Sequence, residues 1–309
     1  MDVPTTWQRT RGGNDDGSGS NVQEVGYFES GYPDVQGNGH PLPPTGTVLD
    51  LSYSDPLVTL PYQLTLTLFL SSKQLLPKIP GIMGHHNWLN GARLMKRWFE
   101  GPPKAAPNYA PPDTTTIRMD SWVLTFLRAR RKYHDLMRLR LWANPEARKE
   151  IRIMLRRKGK LDNRWHPFGN LDAPVEIQDK DSIQFVTVGS EIDAVRGLDD
   201  MVCALGRFTF RVVLEGSVER VLSTRSTHEV KVRRVGVYVK DSYDFNGSQF
   251  LGFWSDLNNT ASAINPSAGF GVDNGDFRAW RSLHSRGGDF EVFSDVKKTR
   301  ITRPVKVIV

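Results

Sequence analysis

The residues of this 309-residue chain best suited to acid–base work gather toward its C-terminus. Asp241, Tyr243 and Asp244 follow directly on the β-branched run 235–239, so their polar groups emerge at a strand end. Side chains alternate in an extended run, which puts Asp241 and Tyr243 on one face and Asp244 on the other. Asn246-Gly247 then reads as a turn. Asp276, Arg278 and Arg281 follow in the stretch DFRAWR, and Asp289 and Asp295 bracket a strand-like segment after Gly287-Gly288. Carboxylates with arginines beside them suit general acid–base or metal-assisted chemistry. These eight residues form the candidate catalytic set. The same residue types also cap backbone and hold one another in structural networks, and the spacing leaves both uses open.

Other chemistries find less support. No GxxxxGK[ST] or GxGxxG opens a helix after a strand, which disfavours the common nucleotide-binding folds. HExxH and the GxSxG elbow are missing as well. The single cysteine, Cys203, makes no internal disulfide and cannot build a Cys-based zinc or iron–sulfur site. Its apolar surroundings, residues 201–205, predict a buried thiol rather than a nucleophile. His85 and His86 are adjacent and diverge on either a helix or a strand, so no metal site is expected. No pattern names a cofactor.

Lys and Arg number 41 against 34 Asp and Glu, a net charge of +7. The excess is local. Residues 128–160 hold thirteen cations (Arg128, Arg130, Arg131, Lys132, Arg138, Arg140, Arg148, Lys149, Arg152, Arg156, Arg157, Lys158 and Lys160) against Asp135, Glu146 and Glu150, leaving the remainder slightly acidic. With Tyr133, His134 and Trp142 interleaved, such a segment could grip phosphates, and Arg130, Arg131, Lys132, Arg156, Arg157 and Lys158 are its candidate anion ligands. Solvated helix faces and an acidic partner protein fit the same charges. No helix-turn-helix, zinc finger or RNP motif accompanies them.

The elements that must position these residues divide the chain. Residues 1–46 are rich in Gly, Asn, Asp, Ser and Pro and predict a flexible arm; 47–309 predict one α+β body. Residues 57–70 alternate as a half-buried strand, with a membrane-inserting hairpin as the functional alternative. Helices are expected at 87–100, 121–141 and 145–158, separated by a Pro-rich extended connection at 103–112. The third has Asn144 as N-cap, Pro145 at the first helical position, a basic last turn and Gly159 beyond it. A helical part at about 87–160 thus precedes a β-rich part at about 175–309. There the strands 183–188, 207–214, 219–222, 228–239 and 305–309 predict an antiparallel sheet of successive hairpins, with short helices at 191–204 and 276–284. The N-terminus carries no apolar signal region and no window suits a membrane-spanning helix, so a chain cytoplasmic as made is expected.

The stretches ARLMKRWFEGPP (92–103), MDSWVLTF (119–126), VGVYVKDSYDFNGSQFLGFW (235–254), DFRAWR (276–281) and GGDFEVFSDV (287–296) resemble those of the DUF6402 proteins, a bacterial family of unknown function. The resemblance implies cargo associated with type VI secretion, hence an antibacterial effector delivered into neighbouring cells without a cleaved signal peptide. It further implies a secretion spike or adaptor as partner and a cognate immunity protein. A non-enzymatic adaptor or structural component of the secretion apparatus is the alternative. The resemblance brings no catalytic residues with it, and whether the body is an enzyme stays open at this level.

Overall fold

The chain's most apolar, β-branched stretches pair with one another and build the central sheet. The structure, a computed structural model, describes residues 74–190, 197–221 and 227–309, without the side chains of 303–305. The sequence-predicted arm 1–46 and strand 57–70 lie outside the described residues. In chain order the elements are α1 (Ile79–His85), α2 (Leu89–Glu100), β1 (Ala110–Ile117), α3 (Leu127–Arg138), α4 (Pro145–Arg157), β2 (His166–Phe168), α5 (Val175–Asp179), β3 (Gln184–Val188) and α6 (Asp200–Leu205). They continue as β4 (Phe208–Arg220), β5 (His228–Tyr243), β6 (Phe250–Ser255), β7 (Thr260–Ser262), β8 (Phe270–Asp273), α7 (Asn274–His284), β9 (Phe290–Ser294) and β10 (Lys297–Ile308). The class is α+β, with the sheet drawn mostly from the C-terminal half.

Among the described residues seven strands form one sheet along the path β1-β9-β5-β4-β2. β10 shares the β5 edge with β9, and β3 shares the β4 edge with β2. All pairings are antiparallel except β1 with β9. β4 and β5 are buried on both faces, which explains runs such as Val212-Val213-Leu214 in place of clean alternation. Phe210, Val212 and Leu214 on β4 pair with Val239, Val237 and Val235 and face the main core beneath the helices. Val213, Tyr238 and Phe293 form a smaller cluster on the other face with Leu171 and Val175. β4 runs unbroken where two strands were expected, because a register shift at Gly216 absorbs the irregularity; a Cβ there would lie 2.1 Å from the Lys231 carbonyl oxygen.

α4 follows its expected limits and burial: Asn144 accepts from the Ala147 N–H at 2.8 Å, and Ala147, Ile151, Met154 and Leu155 are its buried side chains. Elsewhere tertiary contacts overrode local reading. The 121–141 region breaks into a short 3₁₀ turn and α3, whose buried residues are Ala129, Tyr133 and Leu136, while Leu127 is exposed. Pro111 and Pro112, expected in a connection, belong to β1, which pairs along β9. Residues 175–179, at the start of the β-rich part, form a short helix, and α6 is shorter than the helix expected at 191–204, whose first part lies outside the described residues. A second, three-stranded sheet of β7, β6 and β8 had no counterpart in the reading of the sequence.

Candidate functional site

The eight acid–base candidates come to β5, β9, α7 and the turns between them. β5 extends through Tyr243, with Asp241 opposite Val292 and Tyr243 opposite Phe290 on β9. Alternation from Val235, Val237 and Val239 turns Asp241 and Tyr243 toward the helices. Tyr243 is a core aromatic: its ring stacks on Phe290 at 5.3 Å and meets Phe245 edge-on. Burial, with Cys203 and Asp241 nearby, pushes its hydroxyl well above its ordinary value. Burial likewise pushes the Asp241 carboxyl well up; the Ser242 N–H opposes this and the Asp244 charge adds to it. Asp241 has no ion-pair partner among the described residues, so desolvation acts on its carboxyl without a compensating cation, and it favours the protonated form.

Asp244 lies at the end of the same strand. Its Oδ2 accepts from the Tyr109 hydroxyl at 3.3 Å. Burial raises its carboxyl, with the neighbouring Asp289 charge contributing. Tyr109, from the Pro-rich segment, is also raised, chiefly by burial. Reading the sequence overlooked this residue, although it is the lone aromatic in a segment otherwise composed for an extended connection.

Asp289 is fully buried and bonded from several sides. Its Oδ1 accepts from Trp98 Nε1 at 2.8 Å and from Arg281, and its Oδ2 from the Ala106 N–H at 3.3 Å. Its own N–H donates to the Lys104 carbonyl at 2.9 Å, and its carbonyl accepts from Ala110 at 2.8 Å. One side chain thus fastens α2, the 101–109 segment, α7 and β9. The preceding Gly-Gly has a steric cause. Gly287 has φ +99°, and a Cβ on it would lie 2.5 Å from the Trp98 ring. The Arg281 guanidinium rests 5.2 Å from the Trp98 ring centre, and Trp98 is ringed by Phe99, Phe245, Phe277 and Trp280. Trp98 was outside the expected stripe of its helix, which named Trp88, Ala92, Met95 and Phe99; Leu94 and Trp98 are the fully buried members.

The remaining candidates serve backbone. Asp276 completes a capping box with Asp273 at the start of α7. Arg278 Nη1 donates to the carbonyls of Phe245 at 2.7 Å and Gly247 at 2.5 Å, fixing the turn after β5. Asp295 is exposed and accepts from the Met119 N–H at 2.7 Å. The structure therefore brings Asp241, Asp244, Tyr109 and Asp289 into one neighbourhood, occupies Asp289 and Arg281 in a clamp, and places Asp276, Arg278 and Asp295 in caps and turns. No group of three or more His, Cys, Asp or Glu among the described residues is arranged to hold a metal ion. Cys203 lies in α6, its thiol raised well above the ordinary value by burial and by Asp199 and Asp200. Those two carboxylates have structural roles: Asp200 accepts from the Asn90 and Gly91 N–H groups and Trp122 Nε1, and Asp199 pairs with Arg128 at 2.6 Å.

The basic segment presents a different picture. Arg157 and Lys158 both bind Asp181, at 2.9 and 2.7 Å. Arg138 pairs with Asp135, and Lys149 with Glu146. Arg130, Arg131, Lys132, Arg152 and Arg156 are exposed and have no acidic partner among the described residues. Arg148 is exposed too, with Nε donating to the Ala143 carbonyl at 3.0 Å. Arg148, Arg152 and Arg156 recur every four residues, so they share one side of α4, about 6 Å apart along its axis.

These features define an α+β protein whose acidic strand-end cluster is built largely into the core, with a separate row of arginines that have no acidic partner among the described residues. The chain belongs to the DUF6402 family, described as a family of unknown function, whose model matches residues 75–268 and 258–309. No curated protein and no solved structure matches the chain. No helix among the described residues is long and apolar enough to cross a membrane.

Proposed function

We propose that this protein is a type VI secretion-associated antibacterial effector that engages nucleic acid through the basic face of α3 and α4. The secretion association rests on the family resemblance, which also implies a spike or adaptor partner and an immunity protein. The nucleic-acid reading is carried by the row Arg148, Arg152 and Arg156, exposed and without acidic partners among the described residues. Like charges at i and i+4 destabilise a helix by a few tenths of a kcal/mol per pair, so the fold alone gains nothing from this row. A polyphosphate would turn that cost into binding through counterion release. Asp241, its carboxyl raised by burial and by the nearby Asp244 charge, is the group best suited to donate a proton if the effector is an enzyme.

The test is binding of the full chain to a labelled DNA or RNA duplex across a range of salt, alongside growth of a sensitive bacterial host expressing it. We expect affinity to fall steeply with salt, and both binding and toxicity to be lost when Arg130, Arg131 and Arg156 become Glu. Salt-insensitive binding, or toxicity that survives these substitutions, would sink the reading. The adaptor alternative is favoured by a specific observation: Asp276, Arg278, Arg281, Asp289 and Asp295 are all bonded to the protein's own backbone or core. It predicts pull-down of a secretion-spike protein by a folded, non-toxic chain, lost on deletion of residues 1–46.

A further inference from the structure

A cavity of about 410 Å³ lies between the C-terminal end of α4, the 166–178 segment and β4, and none of the eight acid–base candidates lines it. That volume is in the range of small-ligand pockets. Phe168, Leu171 and Leu214 give it an apolar floor, and Lys158, Lys160, Asn170, Gln178 and Asp181 contribute its polar side. Positive charge is in excess there. Asp181 already serves both Arg157 and Lys158. The Lys160 ammonium donates to the Pro167 carbonyl at 2.5 Å and has no acidic partner among the described residues. Gln178 is 5 % exposed, and its Nε2 donates to the carbonyls of Leu171 at 3.2 Å and Ala173 at 2.7 Å. These two bonds fix the orientation of the carboxamide. Its Oε1 is thereby left as a buried acceptor with no hydrogen-bond partner. Buried acceptors are rarely left unanswered.

An apolar floor, an uncompensated ammonium and one unused acceptor describe a ligand with an apolar group, an anion and an N–H. We propose that this cavity binds a small apolar amido-carboxylate, the chemistry shared by an N-acyl amino acid and a peptide C-terminus. The side chain would lie on Phe168, Leu171 and Leu214, the carboxylate would meet Lys160, and the amide N–H would donate to Gln178 Oε1. The proposal stands apart from nucleic-acid binding, which uses neither Lys160 nor Gln178.

The experiment is a protein-observed NMR titration of the full chain with N-acetyl-leucine, its N-methylamide, N-acetyl-N-methyl-leucine and a short peptide ending in leucine. We expect saturable shifts with N-acetyl-leucine. Removing the carboxylate charge should weaken binding about tenfold or more, and blocking the N–H about fivefold. Lys160→Met, a change at the cavity rim, should weaken N-acetyl-leucine about tenfold without altering the circular dichroism spectrum. Peptide binding as tight as that of N-acetyl-leucine would identify a protein C-terminus as the source, and binding of the amino-acid derivative alone a free metabolite. No saturable shift with any probe, or equal binding of the N-methylamide, overturns the proposal.

Discussion

The Asp289 neighbourhood and the α3–α4 face are both rich in charge, and they dispose of it in opposite ways. At Asp289 both carboxylate oxygens and both backbone groups are bonded within the fold, across separations of up to 191 residues. On α4, Arg148, Arg152 and Arg156 stand in water, repel one another and find no carboxylate among the described residues. A buried ion is kept only where its partners are assembled in advance, because desolvation costs several kcal/mol per ion. An exposed cation faces little such cost and is free for a partner. Density of polar residues in the chain is therefore a poor guide to function, whereas unspent bonding capacity is a better one.

The contrast can be broken most decisively at the clamp. Asp289→Ala should cost about 3–5 kcal/mol, since it leaves Arg281 and Trp98 Nε1 without their acceptor in the core. Chemical denaturation would measure it, and a loss below about 1 kcal/mol would show that the clamp is not structural. Gly287→Ala should cost about 1–3 kcal/mol from the positive φ alone, with more from the Trp98 contact. Denaturation midpoints of the two variants and their double mutant should show non-additivity, because both act through Trp98. On the basic face, replacing Arg148, Arg152 and Arg156 by Gln should leave stability within about 0.5 kcal/mol and lower the slope of log K against log salt by about 0.9 per arginine lost. A large stability change there would mean that the row supports the fold.

The smallest effects concern pH, where the buried Asp113 and the half-buried Asp241 shift in opposite directions. Burial raises Asp113, but the Thr116 and Thr115 N–H groups, the Thr116 hydroxyl and Arg97 together bring it below its ordinary value of 3.8. Its stabilisation is present above the unfolded value and is lost as pH falls through the folded one. Asp241 is raised by burial above 3.8, so its contribution is complete below the unfolded value and declines as pH rises toward the folded one. Asp241→Asn should therefore raise the urea midpoint at pH 7 relative to pH 4, whereas Asp113→Asn should lower it. Identical responses from the two variants would show that the Asp241 carboxyl is not raised in the folded protein.

What could be read from the residues in order was whatever short-range rules decide. α4 is the clearest case: the Asn144 cap, Pro145 at the first turn and the stripe of Ala147, Ile151, Met154 and Leu155 are all set within thirteen residues. The strands β3 and β5, the α7 helix and the α+β class were likewise legible, because β-branched runs and helix caps act locally. Illegible were the small second sheet, the strand formed across Pro111 and Pro112, and which face of α2 is deepest. Each depends on a partner far away in the chain, as β1 depends on β9.

The same division holds for the candidate site. The order of residues alone reveals that the candidate acid–base groups cluster after residue 240 and that the cations concentrate between 128 and 160. The three-dimensional arrangement alone shows that Asp289 is occupied by Trp98 and Arg281, that Arg278 ties a turn, that Tyr109 joins Asp244, and that Arg148, Arg152 and Arg156 meet no carboxylate among the described residues. The physical reason is that a polar group's chemistry is set by its solvation and by the partners within hydrogen-bonding reach, and those are brought together by chain closure over a hundred residues or more.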